Sequence, residues 1–555
     1  MRRLTYILIL LEVLLTSCNR PDEVDFLVLY TTQLYGNLLP WDFKNDTIEE
    51  VTAANFMTLV NEQRAIYGDR CIVLDVGNMH TRGLANFYWH YIDTLSEPLS
   101  FKAQRYIGYD AVAMGHSDMR LAEPFIAQHH NPAKYPPTIC TNLFDRRTGE
   151  TFFTPWVCLE RQGIKVAIFS LVDEDADFWT PQLGHPDAEC KEMIECMRTQ
   201  ILKLRHECKP DLVIGLVSSP RDPKELRLQE QIPGIDLVIG IDLAGSASRN
   251  YAGMVRMKLT RDEKTDSYSM KPFTVAVDLS QYEVDPDYTE FFADDIATIR
   301  ARYKEEFGKL DDDIITSYGI YSSHDYYRDI LHQAQLYYSG ADISFANIAN
   351  ADKVIPAGSI NISKIGDLFS HENVLVQFKA TGQEIKNIIE SFYAQQYNRM
   401  TSPQDPLLAL RHDKKGHQMW NSKGQPYLNV PPARFTSCSG MYYTVDLRRT
   451  PGDRVFIHSL HNGKPYHPDS TYSVATNSYI ASGFEHLPYL GWDKYEIRRR
   501  FIDFQMPNIV YVIYKYFHDC PGAYTPTKKN TCDFIPEDWW REAKSRELQN
   551  LNPTW

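Results

Sequence analysis

The sequence predicts a two-part α/β protein, and three observations support this prediction. Between Asp25 and about residue 245, short apolar runs alternate with longer helix-favouring stretches. A charged, helix-favouring run covers 287–313, and a second alternation of the same kind follows from about 314 to 515. Continuous apolar runs are typical of strands buried on both faces, as in layered α/β domains. We therefore expect two α/β units joined by a helix.

The apolar runs of the first unit are predicted strands: Phe26–Tyr30, Cys71–Val76, Ala111–Met114, Val166–Leu171, Leu212–Leu216 and Ile235–Ile239. Helical patterns between them cover Glu49–Tyr67 and Glu189–Cys208, and the second unit ends in a predicted helix over Pro507–Phe517. The tail that contains Trp539 and Trp540 is expected to pack on the surface. The predicted boundaries are 1–18 (signal), 24–285 (first domain), 286–313 (linker helix), 314–518 (second domain) and 519–555 (extension).

The first 18 residues predict export and lipid anchoring. Two arginines precede the stretch Leu4–Leu15, which is apolar apart from Glu12, and Thr16-Ser17 precedes Cys18. This order is typical of a secretory signal, and the L-T-S-C pattern resembles that of bacterial lipoproteins, which implies a diacylated Cys18. The alternative is an ordinary signal with a coincidental cysteine. We expect a protein secreted across the inner membrane, lipid-anchored, and periplasmic or at the outer membrane.

Charge and cysteine spacing limit the classes of partner. The formal net charge of −14 argues against nucleic acid as a partner. None of the ten cysteines shows CxxC metal spacing. In an oxidising compartment some cysteines are expected to pair. The first candidate pair is Cys520–Cys532, and Cys190, Cys196 and Cys208, which lie along one predicted helical stretch, could include another pair.

Four blocks of the first unit resemble motifs of the 5′-nucleotidase and 2′,3′-cyclic phosphodiesterase family. Leu29–Asp42 (LYTTQLYGNLLPWD) resembles T-N-D-x-H-G-x-L-x-P, and Leu74–Gly83 (LDVGNMHTRG) resembles L-D-A-G-D-x-x-x-G. Gly108–Met119 (GYDAVAMGHSDM) resembles G-Y-D-A-x-x-x-G-N-H-E-F, and Ile235–Gly245 (IDLVIGIDLAG) resembles I-D-x-I-x-G-G-H-T-H.

Three blocks of the second unit resemble the same family in the same order: Ala341–Ile365, His371–Glu390 and Tyr472–Gly483. The last of them (YSVATNSYIASG) resembles Y-x-V-A-T-N-D-Y-L-A-S-G-G. The resemblance implies a four-layer α/β/β/α, calcineurin-like metallophosphoesterase domain. It further implies an α+β 5′-nucleotidase C-terminal domain that recognises the nucleotide.

The family hydrolyses phosphoesters with two divalent metal ions held by carboxylates and imidazoles. Aligned with the motifs, the ligand and catalytic-histidine positions hold other residues in this chain: Gln33, Tyr35, Asn78, His116, Ser117, Ser218, Asp242 and Ala244. The acidic partner persists as Asp118, and the surrounding glycines, among them Gly36, Gly77, Gly115 and Gly240, are present. The scaffold is therefore expected to remain while the metal ligands are lost.

These replacements predict a protein that takes no metal cofactor and no longer hydrolyses phosphoesters. Two negative charges that balance the metals are missing at Gln33 and Asn78, and Ser117 cannot serve as the acid for the leaving group. We expect a pseudoenzyme that binds a small molecule or a protein. The alternative is an active hydrolase with a rearranged Mn, Zn or Mg site formed by His80, His116, Asp118 and Asp242.

The resemblance also implies a nucleoside held between two aromatic rings. Phe435 aligns with one ring, with core packing as the alternative, and Phe484 lies near the position of the other, which aligns with Leu487. The family's arginine aligns with Asp352, which would repel a phosphate, while the asparagines Asn347 and Asn373 persist. A carbohydrate- or nucleobase-binding lipoprotein that uses other aromatic side chains is a further hypothesis.

Overall fold

The computed structural model describes residues 20–551 except 95, 121–130, 132, 174–186, 219–227, 241–251, 323–324, 349, 351–352, 367, 369–372, 422–425, 432–433, 482–489, 493, 503–505, 507 and 525–530. The chain forms two compact units, Met1–Arg300 and Ala301–Trp555. Several predicted functional positions lie outside the described residues: Cys18, Asp242, Ala244, Asp352, Phe484 and Leu487.

The strands of the N-terminal unit are β1 (Glu23–Thr31), β2 (Cys71–Asp75), β3 (Ala111–Ala113), β4 (Thr138–Ile139), β5 (Leu143–Asp145), β6 (Trp156–Arg161), β7 (Ile164–Val172), β8 (Ala188–Cys190), β9 (Leu212–Ser218), β10 (Leu237–Gly240), β11 (Ala252–Asp262) and β12 (Ser267–Val277). One sheet has the order β12-β11-β1-β2-β3-β4, and a second has the order β10-β9-β7-β6. All six predicted strands are confirmed, because each coincides with a buried strand of one of these two sheets.

The two sheets pack face to face, so that side chains of β1 and β2 and side chains of β7 and β9 form one buried cluster. The second sheet is covered on its other face by helix Met193–Cys208. This helix presents an apolar stripe at intervals of three or four residues: Met193, Met197, Ile201, Leu204 and Cys208. The layered α/β architecture predicted from the sequence is therefore confirmed.

The helices of this unit are α1 (Ala53–Tyr67), α2 (Leu84–Phe87), α3 (Leu99–Ile107), α4 (Met193–Cys208), α5 (Leu228–Gln231) and α6 (Pro286–Phe291). Helix α1 begins later than predicted because Thr52 caps its N-terminus, with Asn55 completing a capping box. Helix α4 likewise begins after Glu192, whose carboxylate accepts the N–H groups of Ile194 and Glu195.

The predicted linker helix over 286–313 is interrupted. Its residues form α6, then α7 (Ala293–Lys304), and after these a strand, β13 (Gly308–Leu310). Helix α6 is anchored in the N-terminal unit, because the Tyr288 hydroxyl donates to the carbonyl of Leu38 at 2.9 Å and its ring packs on Phe292. The charged run therefore belongs partly to the core of that unit.

The remaining strands of the C-terminal unit are β14 (Ile314–Ile315), β15 (Ile343–Asn347), β16 (Val354–Ile355), β17 (Gly358–Ile360), β18 (Leu375–Thr381), β19 (Thr436–Ser439), β20 (Met441–Asp446), β21 (Val455–Leu460), β22 (Thr471–Asn477), β23 (Ala523–Tyr524) and β24 (Cys532–Ile535). Its main sheet has the order β18-β22-β15-β19, and a smaller sheet has the order β21-β20-β24.

The helices of this unit are α8 (Tyr326–Ser339), α9 (Ile362–Gly366), α10 (Gly382–Gln396), α11 (Ser478–Ala481), α12 (Lys494–Arg499), α13 (Ile509–Asp519) and α14 (Glu537–Leu551). Helix α13 begins two residues later than the predicted Pro507, because the Asn508 side chain caps it. Within the described ranges no helix is both long and apolar enough to span a bilayer.

The C-terminal segment is part of the fold of its unit. Strand β24 pairs in parallel with β20, and its Phe534 is 5% exposed. Helix α14 stacks Trp540 on Phe534, and its Glu547 accepts the N–H of Leu407 at 2.6 Å. The predicted surface extension is therefore wrong for residues 532–551.

The disulfide prediction is also wrong in its first choice. Cys158 of β6 pairs with Cys208 at the end of α4, with a Cα–Cα distance of 5.6 Å. No pair forms among Cys190, Cys196 and Cys208, so the second prediction is wrong as well. Cys520 and Cys532 remain thiols and do not pair with each other. Cys520 is exposed at the end of a helix, while Cys532 is buried in a strand beside Tyr393.

Candidate functional site

The candidate site lies where strands β1, β2 and β3 end. These strands run parallel, so their carboxyl ends meet at one edge of the sheet. Three loops leave this edge, over residues 32–36, 76–83 and 114–118. Hydrogen bonds join the first two loops: the Gln33 N–H donates to the Gly77 carbonyl at 3.1 Å, and the Tyr35 N–H donates to the Asn78 carbonyl at 3.0 Å. The fold thus brings the degenerate motif positions together.

Two glycines allow the second and third loops to touch. A Cβ on Gly77 would lie 2.6 Å from the Cα of Gly115. A Cβ on Gly115 would lie 2.1 Å from the amide nitrogen of Asn78 and 2.7 Å from an Asp118 oxygen. Only residues without a side chain permit this approach, so the glycines that the motifs share have a direct structural role here.

The Asn78 side chain is held by the third loop. Its Oδ1 accepts the Ser117 N–H at 2.8 Å, and Asn78 is 2% exposed. Because this oxygen already accepts a backbone hydrogen bond, the Asn78 amide, at one of the family's metal-ligand positions, serves as a contact between the loops. Ser117, at the position of the family's histidine, is likewise buried and contributes its N–H to this contact.

The Asp118 carboxylate also joins loops. Its Oδ2 accepts the N–H groups of Asn78 at 2.8 Å and Gly115 at 3.1 Å, and its Oδ1 accepts the His80 N–H at 3.1 Å. Burial raises the pKa of Asp118 to about 7, against the backbone hydrogen bonds that lower it. The retained acidic residue therefore organises the backbone of the site, and its oxygens face backbone donors.

His80 is a buried histidine whose two ring nitrogens both have protein neighbours. Nδ1 lies 2.8 Å from the Ser100 hydroxyl, and Nε2 lies 3.1 Å from the Gln104 amide nitrogen. Ser100 and Gln104 therefore occupy both ring nitrogens. The ring is 5.0 Å from that of Phe101, and His80 is 1% exposed. This arrangement does not present the ring nitrogens to a metal ion.

His116 and Ser218 connect the third loop to the second sheet. The His116 N–H donates to the Ser218 hydroxyl at 3.2 Å. Ser218 is fully buried at the end of β9, whereas His116 is partly exposed. The Ser218 hydroxyl thus accepts a hydrogen bond within the fold, at a position where the resemblance implies a metal-binding histidine.

The backbone of the site is strained. Four non-glycine residues of the first two loops have positive φ: Gln33 (54°), Tyr35 (46°), Asn78 (64°) and Arg82 (62°). This conformation costs roughly 1 kcal/mol for residues other than glycine, and somewhat less for asparagine. Such strain is typical of functional sites. The loops keep a specific shape although the ligand residues have changed.

Arg82 is a site residue that was not predicted from the sequence. Its guanidinium lies over the Tyr35 ring, 4.1 Å from the centroid. Both residues are partly exposed. One feature of the sequence could have indicated it: Arg82 is a cation within the LDVGNMHTRG block, in a site whose acidic ligands are replaced. The site therefore carries a guanidinium, and guanidinium groups suit carboxylates and phosphates.

A second buried carboxyl lies beneath these loops. Asp75 is fully buried, and its oxygens accept the Thr31 hydroxyl at 2.6 Å and the Gly77 N–H at 2.8 Å. The Thr31 hydroxyl is in turn 2.8 Å from the Tyr109 hydroxyl. Burial raises the pKa of Asp75 to about 7, and the negative charge of Asp118 adds to this rise.

This raised pKa predicts a specific pH dependence of stability. The folded state binds the Asp75 proton more tightly than the unfolded state does. The protonated Asp75 carboxyl therefore contributes its full share to the free energy of unfolding below about pH 4, and this contribution is lost as the pH rises through about 7. An asparagine side chain at this position would mimic the protonated acid. We expect the difference in unfolding free energy between Asp75→Asn and wild type to grow in favour of the variant by on the order of 3 kcal/mol between pH 4 and pH 8.

Urea unfolding of the N-terminal unit at several pH values measures this difference. Asp69→Asn makes the same substitution at an exposed aspartate of the same unit and is the control variant. Parallel pH profiles for wild type and Asp75→Asn would show that Asp75 is ionised in the folded state across this range.

The described residues do not fit the family's pair of metal ions. The side-chain atoms of Asn78, His80 and Asp118 that could bind a metal are hydrogen-bonded to protein groups. In the described part of the chain, no cluster of three or more His, Cys, Asp or Glu side chains is suited to a metal ion. The rearranged set His80, His116, Asp118 and Asp242 is incomplete here, because Asp242 lies outside the described residues.

A second candidate site lies at one edge of the main sheet of the C-terminal unit. Asn347, at the end of β15, accepts the Asn477 side-chain N–H at 2.6 Å. Asn373, just before β18, accepts the Ser478 hydroxyl at 3.2 Å. The structure therefore brings the two predicted asparagines to one edge, with Asn477 and Ser478 connecting them to the end of β22.

Phe435 lies in the core of this unit. It is 1% exposed and packs edge-to-face with Tyr397, at 6.3 Å between ring centroids. Its carbonyl accepts hydrogen bonds from the Ile348 N–H and from the buried Arg328 guanidinium. The structure thus favours the packing alternative over an exposed stacking ring.

Tyr479 and Arg434 were not singled out from the sequence, yet they lie near this edge. Tyr479 follows Ser478 directly and is 36% exposed. Burial raises the pKa of its hydroxyl, and the nearby positive charge of Arg434 opposes the rise. The sequence feature that could have indicated Tyr479 is its place directly after Asn477 and Ser478, which end β22 and begin the next helix.

The comparisons with known proteins point to one family. Residues 317–491 match the family model described as 5′-nucleotidase, C-terminal domain. Protein UshA of Escherichia coli is 30% identical over 195 residues, which covers 34% of this chain and 32% of that protein. The match thus spans about a third of the length of this curated relative.

Solved structures share the fold over nearly the whole chain. A candidate 5′-nucleotidase of Staphylococcus aureus in complex with alpha-ketoglutarate aligns with a TM-score of 0.65 and 12% identity, over 92% of this chain and 100% of that one. A 5′-nucleotidase precursor of Thermus thermophilus aligns with a TM-score of 0.53 and 15% identity, over 93% of this chain and 100% of that one.

Proposed function

Because the chain belongs to the 5′-nucleotidase family, we propose that it is a catalytically inactive member that binds a small anionic ligand without a metal ion. We further propose that it is exported and lipid-anchored through Cys18, in the periplasm or at the outer membrane. The lipoprotein pattern of residues 1–18 supports the anchor.

The observation that carries the proposal of inactivity is the use of donor atoms within the site. The side-chain oxygen of Asn78 accepts the Ser117 N–H, and both oxygens of Asp118 accept backbone N–H groups. Losing one residue that hydrogen-bonds to a metal ligand already lowers metal affinity or activity by ~10–100-fold. Here several ligands are replaced outright. Without metal ions nothing lowers the pKa of the attacking water.

The constrained shape of the loops supports a binding role. Gln33, Tyr35 and Arg82 keep a costly backbone conformation, and the contact of Gly77 with Gly115 holds the loops together. Arg82 adds a cation that is partly exposed above the Tyr35 ring. A carboxylate or phosphate group suits a guanidinium at this place. The alpha-ketoglutarate present in the Staphylococcus aureus structure makes it a reasonable first probe.

We expect the purified mature chain to contain no stoichiometric metal and to release no phosphate from 5′-AMP when Mn²⁺ or Zn²⁺ is added. Elemental analysis and a phosphate assay measure the two properties on one sample. The exposed His417 supplies a control variant, His417→Ala, for metal bound adventitiously at the surface. Two metal equivalents with turnover that is lost on His116→Ala or Asp242→Ala would establish the rearranged hydrolase instead.

The binding role requires a separate measurement. Thermal unfolding in the presence of alpha-ketoglutarate or AMP should show a rise in Tm that persists in EDTA, because ligands stabilise the state that they bind. Arg82→Gln is expected to reduce this rise, whereas Arg147→Gln, at an exposed arginine of the same unit, is not. If neither ligand raises the Tm, binding of these two anions is excluded.

A further inference from the structure

The C-terminal unit carries a small surface ribbon formed by residues 409–421 and 426–429. Three segments of it are joined in a ring of backbone hydrogen bonds. The Arg411 N–H donates to Tyr427 at 2.8 Å, Tyr427 donates to Met419 at 2.9 Å, and Met419 donates to Arg411 at 3.0 Å. The Asn429 N–H closes the base by donating to Ala409 at 2.7 Å. These hydrogen bonds give the ribbon a defined backbone structure.

The ribbon exposes two large aromatic residues. Trp420 is 56% exposed and Tyr427 is 44% exposed. Trp420 pairs with Pro426 in a β-bridge, and the next residue, Tyr427, donates its N–H to Met419, so the two aromatic residues belong to successive cross-strand pairs of the ribbon. Single exposed apolar residues are ordinary on protein surfaces. A ribbon that exposes both a tryptophan and a tyrosine suits the boundary between water and an apolar phase.

The same ribbon is basic, in contrast to the rest of the chain. Residues 411–417 are all exposed, and they include Arg411, Lys414 and Lys415. Asp413 directs its carboxylate into the turn, where Oδ1 accepts the N–H groups of Lys415 at 2.8 Å and His417 at 2.9 Å. Three cations and one turn-bound carboxylate thus stand out from a chain whose formal net charge is −14.

We propose that this ribbon docks on an anionic phospholipid surface. Tyrosine and tryptophan side chains are enriched at membrane interfaces, where one end of the ring is apolar and the other is hydrated. Lysine and arginine near an anionic bilayer add electrostatic attraction. The overall negative charge of the chain disfavours an extended nucleic acid as the partner. The inference does not depend on the proposed inactivity, and the predicted anchor at Cys18 would supply a second membrane signal.

Vesicle flotation tests the proposal with the mature chain expressed without the signal and with Cys18 omitted, so that no acyl chain contributes. The probes are vesicles of phosphatidylcholine alone and vesicles that contain phosphatidylglycerol. We expect at least about tenfold more binding to the anionic vesicles at low salt, and a loss of that binding at high salt because exposed charges are screened.

Matched variants identify the surface. Lys415→Glu and Trp420→Ala should each lower binding to anionic vesicles several-fold. Lys464→Glu makes the same charge change in an exposed turn of the same unit, and Phe273→Ala removes an aromatic residue that is 65% exposed elsewhere. These two controls should bind like wild type. Circular dichroism and Tm of each variant establish that it is folded.

Three outcomes would overturn the proposal. The first is equal binding, or none, to the neutral and the anionic vesicles. The second is an equal loss of binding in Lys415→Glu and in its control. The third is retention on an immobilised acidic polysaccharide, lost in the ribbon variants, without vesicle binding; that result would assign the ribbon to anionic glycans.

Discussion

Replacing Gly115 with alanine is expected to destabilise the N-terminal unit by at least about 3 kcal/mol. The new Cβ would lie 2.1 Å from the Asn78 amide nitrogen and 2.4 Å from the Asn78 Oδ1. Backbone cannot yield at this point without separating the loops that Asp118 holds together. Urea denaturation of the purified variant measures the loss, and any ligand binding at these loops should be lost with it.

Gly149→Ala serves as the control for this prediction. Gly149 has a φ of +72° and nothing within 4 Å of its ideal Cβ. Alanine there has only the conformational cost of a left-handed backbone, roughly 1 kcal/mol. If Gly115→Ala is no more destabilised than Gly149→Ala, the close contact between the second and third loops does not hold in solution.

Replacing Phe534 with alanine is expected to destabilise the C-terminal unit by about 3–5 kcal/mol. Phe534 is buried in β24 and stacks on Trp540, at 5.6 Å between ring centroids. It also packs edge-to-face against Tyr393 and Tyr397. Removing the ring leaves a cavity among these aromatic residues and detaches helix α14 from the strand.

Asp533→Ala is the matched control for Phe534, because Asp533 is the adjacent residue of the same strand and is exposed. We expect its effect to be within about 0.5 kcal/mol. Chemical denaturation followed by tryptophan fluorescence reports both variants, since Trp540 itself contacts Phe534. Similar small effects of the two substitutions would mean that the C-terminal segment is peripheral, as the sequence alone predicted.

The two-unit α/β organisation is predictable from the sequence, and the resemblance to the 5′-nucleotidase family agrees with the family model that matches residues 317–491. The strands of the first unit, such as β7 and β9, are continuous apolar runs, and this pattern follows directly from burial on both faces. The ends of elements were less accurate, because they depend on single capping residues such as Thr52 and Asn508. The pairing of Cys158 with Cys208 joins residues 50 positions apart, and local pattern carries no information on such a contact.

The amino-acid sequence is enough to establish which side chains stand at the motif positions, and hence that the acidic and imidazole ligands are replaced. It is also enough to predict that the loops which carry these positions follow buried strands, because hydrophobic pattern and glycine placement are local properties. What the replacements do is a matter of tertiary packing. Whether His80 or Asp118 can face a ligand depends on Ser100, Gln104 and the backbone N–H groups that surround them. Those partners come from distant segments, and only packing specifies which donor meets which acceptor.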